Sequence, residues 1–367
     1  MTFHIDVEMM TALRFDQAAA TRQSAALTAS DAPQTATVAG ELLVTGPARD
    51  TAAGILTARG FDLVAEAGSV ALWRHPSADV AGTCADLRVL GLVAAPNHVI
   101  VAAAVSKGRG AAAPSPVAAA VGKGRGATAP SPTALRPAGP AGSTAGAGVR
   151  VAVLDSGPGR PVDGVLPGAA GHGTFVAGIV RQVAPAAAIT TIEVLDDTGT
   201  GTEFTAAAAL FALAAEAEAP QLVNLSFVAL GPAGEPVPIG LDAAVRELKD
   251  RHPGTIVVAA AGNTASSTPA FPAAFKSVLA VGTPSAYSNH GWWVDCTVAA
   301  DGIVSDLTTG VRDTGVALVE QHSPWAAWTG TSFAAPQITG ILAVLISHGW
   351  DSAAALTALS RPATAGR

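Results

Sequence analysis

The chain has 367 residues, of which 13% are charged, and its net charge is −7. That length accommodates one large domain and a smaller one. The acidic balance argues against a nucleic-acid partner, and the apolar run at 338–347 is too short to span a bilayer. The first residues lack an apolar run of signal-peptide length, so we expect a cytoplasmic protein, with export as the alternative.

Residues 1–105 are predicted to form an N-terminal domain, of which 1–40 stay unassigned. The remainder predicts a strand, a helix, two strands, a helix and a strand, at Glu41–Gly46, Ala48–Arg59, Phe61–Arg74 (the strand pair), Ala85–Val93 and His98–Val105. The order β-α-β-β-α-β is that of a small α+β, ferredoxin-like unit.

Residues 106–148 form a predicted linker. The stretch KGRGAAAPSP at Lys107–Pro116 recurs as KGRGATAPSP at Lys123–Pro132, and the segment is rich in Pro, Gly and Ser. Such a composition predicts an extended, mobile tether. Its basic residues favour a cleavable joint, with a solvated spacer as the alternative.

Residues 149–367 predict a second domain in which strands and helices alternate. Strands are predicted at 149–157, 189–196, 221–227, 255–263 and 277–283, and helices at 172–181, 204–217, 241–250 and 332–347. This alternation predicts an α/β fold with a doubly wound, mostly parallel sheet. Sites in such sheets lie at the carboxyl ends of the strands, where Asp155 and Asn263 fall.

Three small-residue-rich segments carry an acid, an imidazole and a hydroxyl: Asp155 in VAVLDSG, His172 in GHGTFVAGI and Ser332 in GTSFAAPQITG. A serine hydroxyl needs a base to become a nucleophile, and imidazole can take and return that proton near neutral pH. Asp155 would orient the ring. Any one of these residues alone would more often be a helix cap or a core group, but the three together favour catalysis.

Two hydrogen-bond donors are candidates for stabilising an oxyanion. The side-chain amide of Asn263 follows a buried strand in AAAGN, and the Ser332 backbone N–H lies at the start of a predicted helix. The alternative for Asn263 is an ordinary turn residue.

From Val149 onward the chain resembles the subtilisin-like serine proteases, the subtilase family, on the three segments above and on Phe271–Thr283 and Tyr287–Asp295. The resemblance implies a catalytic triad of Asp155, His172 and Ser332, with Asn263 and the Ser332 amide as oxyanion hole. It also implies two substrate-binding segments, which comprise Asn224, Leu225, Ser226 and Phe227, and Ala260, Ala261 and Gly262. No cofactor or metal is expected, and Asp196 and Asp197 are interpreted as solvated acids.

The region before Val149 resembles, more weakly, the inhibitory propeptide of the same family. The resemblance therefore implies a serine endopeptidase that works through an acyl-enzyme and is made as a self-processed zymogen. Its partners would be protein or peptide substrates and its own N-terminal domain, acting as an intramolecular inhibitor.

The sequence departs from the family at Val228, where the family usually has glycine after a Ser-x pair. This departure leaves an alternative open: the chain could be a catalytically silent peptide-binding module with the subtilase fold. An esterase of similar chemistry is a third, weaker hypothesis.

Overall fold

The computed structural model describes residues 37–103, 130–135, 142–229, 237–315 and 317–360. The unassigned N-terminus and most of the predicted linker lie outside these residues. Among the helices described, none combines the length and apolar character needed to cross a membrane.

The N-terminal unit, residues 37–103, folds in the order β1-α1-β2-β3-α2-β4. Its elements are β1 Thr37–Thr45, α1 Arg49–Ala58, β2 Asp62–Ala67, β3 Val70–Arg74, α2 Val80–Val89 and β4 Val93–Ala102. Neighbouring strands are antiparallel in the order β4-β1-β3-β2. Leu56 of α1 and Leu87 of α2 pack with Trp73 of β3 in one apolar core.

Two boundaries in this unit differ from the sequence prediction. Helix α2 begins at Val80 rather than Ala85, because the Asp79 side chain accepts a hydrogen bond from the Gly82 N–H at 3.0 Å and caps the helix. Strand β4 begins at Val93 rather than His98, because its first residues pair with β1.

The C-terminal part, from residue 142 onward, and the short segment 130–135 supply the remaining elements. They are β5 Ser131–Pro132 (from the preceding segment), β6 Arg150–Ser156, β7 Val165–Leu166, α3 His172–Val183, β8 Ala188–Leu195, β9 Thr200–Thr202, α4 Glu203–Ala215, β10 Leu222–Leu225, β11 Phe227–Ala229, α5 Ile239–Arg251, β12 Ile256–Ala260, β13 Val278–Gly282, β14 Cys296–Thr297, β15 Ile303–Asp306, β16 Gly310–Asp313, β17 Leu318–Gln321, β18 Trp325–Trp328, a 3₁₀ turn Thr331–Phe333, α6 Ala335–Ser347 and α7 Ser352–Ser360.

A parallel sheet in the order β14-β13-β12-β10-β6-β8 forms the centre of this part. Alternate residues of β6 face opposite layers: Ala152 and Leu154 join the apolar cluster of α4 and α5, while Val151 and Val153 join that of α3 and α6. Both faces are covered, which explains the continuous apolar runs of the strands. The predicted α/β class with a wound, mostly parallel sheet is confirmed.

Two predicted elements of this part are broken in the structure. The predicted strand 221–227 divides at Ser226: β10 continues the central sheet and β11 turns away to pair with β4. The predicted helix 332–347 divides into the 3₁₀ turn and α6, with Pro336 in the first turn of α6, where its missing N–H has no helical partner to lose. The short strands β15 to β18 were not predicted.

One piece of the predicted tether pairs with a strand of the C-terminal part. Ser131 and Pro132 pair with Ala327 and Ala326 of β18. Farther along, the Gly146 N–H donates to the Ser347 hydroxyl at 3.0 Å. The C-terminal part therefore holds residues that precede the predicted boundary at 149.

Strand β4 joins the two units. It pairs with β1 inside its own unit, and it pairs antiparallel with both β9 and β11 of the C-terminal part. The result is a single sheet of 12 strands that runs through both units.

Helices α3 and α6 cross closely at Gly340. A Cβ built on Gly340 would lie 2.6 Å from the Cβ of Val183, an atom that cannot move without its backbone. We therefore predict that Gly340→Ala lowers the free energy of unfolding by about 1–3 kcal/mol through overpacking, measured by urea denaturation.

The matched control is Gly254→Ala. A Cβ at this exposed turn meets only the Ser352 hydroxyl, at 3.9 Å, so the change should stay within about 0.5 kcal/mol. Equal effects of the two substitutions would contradict the tight crossing of α3 and α6.

Candidate active site

Asp155 and His172 are brought together at the carboxyl end of the central sheet. Asp155 is near the end of β6 and His172 is the first residue of α3, and His172 Nδ1 lies 2.7 Å from Asp155 Oδ1. The same oxygen accepts the Ser156 N–H at 2.7 Å, and both side chains are fully buried. With Nδ1 turned to the carboxylate, Nε2 is the ring nitrogen available for proton transfer.

Aromatic rings hold the imidazole from two sides. The Trp328 ring meets it edge-on with centroids 5.3 Å apart, and the Phe333 ring lies at 5.4 Å. Packing of this kind, together with the carboxylate, restricts the ring to one orientation. Within the described residues, His172 Nε2 is buried and has no hydrogen-bond partner.

Ser332 lies in the 3₁₀ turn and is fully buried, but it is not hydrogen-bonded to His172. Its hydroxyl donates to the Ser226 carbonyl at 3.0 Å, and the Ser226 hydroxyl donates to the Ser332 carbonyl at 2.8 Å. The next residue, Phe333, carries the ring that packs on His172. The serine and the imidazole are therefore neighbours without the hydrogen bond that proton transfer requires.

Asn263 has its side-chain amide oriented by the turn that carries Ser332. Its Oδ1 accepts the Thr331 N–H at 3.0 Å, and the Thr331 hydroxyl accepts the Gly262 N–H at 3.0 Å. The Asn263 Nδ2 is consequently left as a buried donor that no described residue accepts from. A donor in this state is suited to an oxygen that gains negative charge.

The backbone of Ala103, the residue after β4, occupies the surroundings of Ser332. The Ser332 N–H donates to the Ala103 carbonyl at 2.9 Å, and the Ala103 N–H donates to the Ser226 carbonyl at 3.0 Å. One residue earlier, the Ala102 N–H donates to the Gly199 carbonyl at 2.9 Å. The chain's own backbone thus runs as an extended peptide into the site, with one carbonyl at the amide of Ser332.

The predicted substrate-binding residues divide into two groups. Ser226 and Phe227 meet the strand that enters the site, through their backbones. Asn224 and Leu225 instead lie in β10, which has a neighbour on each edge, and their side chains are buried. Their place is the core of the sheet, where Asn224 donates to the Ser226 hydroxyl at 2.9 Å and accepts from Thr339 at 3.0 Å.

The second predicted segment, Ala260, Ala261 and Gly262, runs from the end of β12 to Asn263 and is buried along most of its length. Gly262 has φ of +98°, in the region that favours glycine, and its carbonyl accepts the Asn289 N–H at 2.9 Å. This segment borders the site opposite β11.

Several residues that build the site were missed in the sequence. Strand β9 and Gly199 bind the entering strand, but the run TGTG that contains them is a common loop composition. Asp196, considered as a solvated acid, accepts the Thr198 and Thr200 N–H groups and so closes the turn before β9.

Arg312 is the least expected of these residues. It is 1% exposed, and its Nη1 donates to the carbonyls of Pro167, Gly168 and Ala170 at 3.0, 3.1 and 2.7 Å. Burial lowers its pKa to about 10, so the guanidinium stays charged at neutral pH. It ties down the loop that leads directly into His172, and nothing in its local sequence, GVRD, signals this role.

The chain is similar to known serine proteinases in sequence. Residues 163–363 match the model of the Subtilase family; His172, Asn263 and Ser332 lie inside the match, and Asp155 precedes it. The Thermophilic serine proteinase of Bacillus sp. (strain AK1) is 34% identical over 199 residues, 48% of this chain and 43% of that protein. Thermitase from Thermoactinomyces vulgaris is 30% identical over 236 residues, 56% of this chain and 77% of thermitase.

Among solved structures, fervidolysin from Fervidobacterium pennivorans, described as a keratinolytic enzyme related to subtilisin, aligns with a TM-score of 0.57. The identity is 18%, and the alignment covers 88% of this chain and 58% of fervidolysin. At that identity the likeness concerns the fold alone. This chain spans less than half of the AK1 proteinase that it matches.

We predict that Arg312→Met lowers the free energy of unfolding by about 2–4 kcal/mol, because three carbonyl oxygens, one of them buried and two partly buried, lose a charged donor. Amide hydrogen exchange at residues 167–172 should quicken in the same variant. The control is Arg246→Met, since Arg246 is an exposed residue paired with Asp242 one turn away. Unchanged stability and exchange in Arg312→Met would show that the loop before His172 is held by other contacts.

Proposed function

The chain belongs to the subtilase family, and from that premise we propose that it is a serine endopeptidase, made as a self-inhibited precursor that cuts its own chain after Ala103. Asp155, His172 and Ser332 are the catalytic triad of this proposal. Asn263 and the Ser332 N–H form its oxyanion hole, and its substrates are extended segments of protein or peptide.

One observation carries the proposal. Strand β4 is bound along both edges, by β9 and by β11, and the carbonyl that follows it meets the amide of Ser332. Main-chain pairing of an extended segment is a general mode of peptide recognition, because it needs no particular side chain. The N-terminal unit therefore fills the cleft in the manner of a substrate, and no other peptide can enter while it stays.

The reaction would follow from these positions. Ser332 Oγ attacks the Ala103 carbonyl carbon while His172 Nε2 takes the hydroxyl proton, and Asp155 stabilises the imidazolium. The imidazolium then gives its proton to the leaving amine of residue 104, and water hydrolyses the acyl-enzyme through the same base.

Asn263 contributes most at the transition state. In the ground state the Ala103 oxygen is bonded to the Ser332 N–H, and Asn263 Nδ2 has no acceptor among the residues described. A donor that engages only when the oxygen becomes negative stabilises the transition state more than the bound peptide. Loss of a comparable donor lowers kcat by about 10²–10³.

A rotation of the Ser332 hydroxyl would be the step that activates the site. The hydroxyl now donates to the Ser226 carbonyl, and it must exchange that acceptor for His172 Nε2. The Ser226 carbonyl keeps the Ala103 N–H as a donor, at 3.0 Å, when the hydroxyl leaves. Hydrogen bonds of catalytic groups are often formed only in the reacting complex.

The position of that hydroxyl also favours a second candidate function. A cleft in which serine and imidazole never come into hydrogen-bond contact would bind peptides without cutting them. The protein would then be a peptide-binding module that holds an extended peptide between β9 and β11.

Sequencing of the N-terminus separates these candidates. The purified wild-type chain should begin at Ala104 after incubation, while Ser332→Ala should retain its original N-terminus, because it lacks the nucleophile. The wild type should also react with a fluorophosphonate probe. An intact wild-type chain that the probe does not label would favour the binding module.

A buried contact between His98 and Glu203 fastens the N-terminal unit to the C-terminal part. His98 Nδ1 lies 2.5 Å from Glu203 Oε2, and both side chains are almost fully buried. Glu203 begins α4, and its other oxygen accepts the Gly240 N–H of α5 at 2.6 Å. Beside it, the Asn97 side chain accepts the Phe204 N–H at 3.1 Å, so the N-terminal unit caps α4 as well.

We predict that His98→Ala weakens this attachment by about 2–5 kcal/mol, because it leaves the Glu203 carboxylate buried without one of its donors. The lag between self-cleavage and the hydrolysis of an added peptide should shorten about 30-fold or more. Arg59→Ala is the control, since its ion pair with Asp86 is on the exposed surface of the same unit. Equal lags in the two variants would mean that the buried pair does not hold the N-terminal unit in place.

A further inference from the structure

The strand in the cleft presents its side chains to two separate layers. Ile100 and Ala102 face the apolar cluster that also contains Phe227 of β11. Val99 and Ala103 face the opposite way and belong to clusters against which Val228 packs. Since side chains alternate along a strand, Val228 is the β11 residue on the same face as Ala103.

Val228 lies directly opposite Val101 in the register, and Ala103 is the next residue of that face. The Ala103 N–H bond to the Ser226 carbonyl keeps the two strands together up to the reacting carbonyl. Ala103 is 3% exposed, so its methyl group is enclosed.

The wall across from Val228 is Gly262. A Cβ built on Gly262 would lie 3.3 Å from Val228 Cγ1 and 2.6 Å from Asn289 Nδ2. The valine thus reaches across to the backbone of the opposite wall, and the space between the walls is narrow. A glycine at position 228 would leave the space between β11 and Gly262 open.

We propose that Val228 restricts the residue whose carbonyl is attacked to small side chains, with alanine preferred and large apolar or aromatic residues excluded. This inference rests on the proposed endopeptidase activity and assigns its substrate class. It explains why a chain whose cleft is narrowed here presents an alanine, Ala103, to its own nucleophile.

The test uses peptides built on the strand that occupies the cleft, Ile-Val-Ala-Xaa-Ala-Val, with Xaa as Gly, Ala, Leu or Phe. For the self-processed wild type, kcat/KM should be higher for Ala than for Phe by about 100-fold, since a misfit of one methylene alone is worth about 10–200-fold. Val228→Gly and Val228→Ala should each raise the Phe-to-Ala ratio, the glycine variant by more. Val228→Thr, which keeps the branched shape, should retain the wild-type ratio.

The intact chain offers the same test within one molecule. Ala103→Phe should slow self-cleavage at residue 103 in the wild-type background, and adding Val228→Gly should restore it. Ala103→Ser should be processed in both backgrounds.

The outcomes distinguish this inference from the activity on which it rests. A wild type that cuts the Phe peptide as fast as the Ala peptide, or an Ala103→Phe chain processed at the normal rate, would overturn the role of Val228 and leave the endopeptidase intact. Failure to cut any peptide, without fluorophosphonate labelling, would instead overturn the proposed function. If Val228→Gly does not fold, the role of Val228 is still tested by Val228→Ala and by the wild-type rates on the Gly, Ala, Leu and Phe peptides.

Discussion

The hydrogen bond from the Ser332 N–H to the Ala103 carbonyl depends on the register of strand β4, which the neighbouring strands fix. Strand β4 is paired with β9, β11 and β1, so it cannot slide without breaking three ladders. A slip of one residue would bring the Ala102 carbonyl to Ser332 and turn every side chain of the strand to the opposite layer. The bond presented to the nucleophile and the side chain presented to Val228 both follow from that register.

In the proposed precursor, the same pairing would give the N-terminal unit two opposing roles. As part of the chain, it reaches the cleft at a high effective concentration, and even modest contacts keep it bound. After the proposed cut, attachment would depend on the strand pairs, on the His98–Glu203 and Asn97–Phe204 contacts, and on the apolar packing of Leu43, Val70 and Leu72 against α4 and α5. Under this proposal, covalent continuity, rather than any change in the cleft, separates a bound substrate from an inhibitor that can leave.

Local patterns in the sequence were sufficient to predict the central strands and the helix that carries His172. The apolar strands that end near Asp155 and Asn263, and the helix that starts at His172, were predicted because burial on both faces gives continuous apolar runs and the turns are marked by small residues. The break at Ser226 was not predictable, because β11 leaves the central sheet for a partner more than 100 residues earlier in the chain. Arg312 and the Ala103 carbonyl depend on equally distant contacts, and the sequence around them is ordinary. For the same reason, the Val228 departure was visible in the sequence, but its position against Gly262 was not.

The most direct measurement is an experimental structure of the intact Ser332→Ala chain. We expect continuous density from β4 through Ala103, with the Ala103 oxygen about 3 Å from the backbone nitrogen of residue 332 and the strand held between β9 and β11. A cleft from which β4 is absent, or one in which a different residue's carbonyl meets that nitrogen, would contradict it.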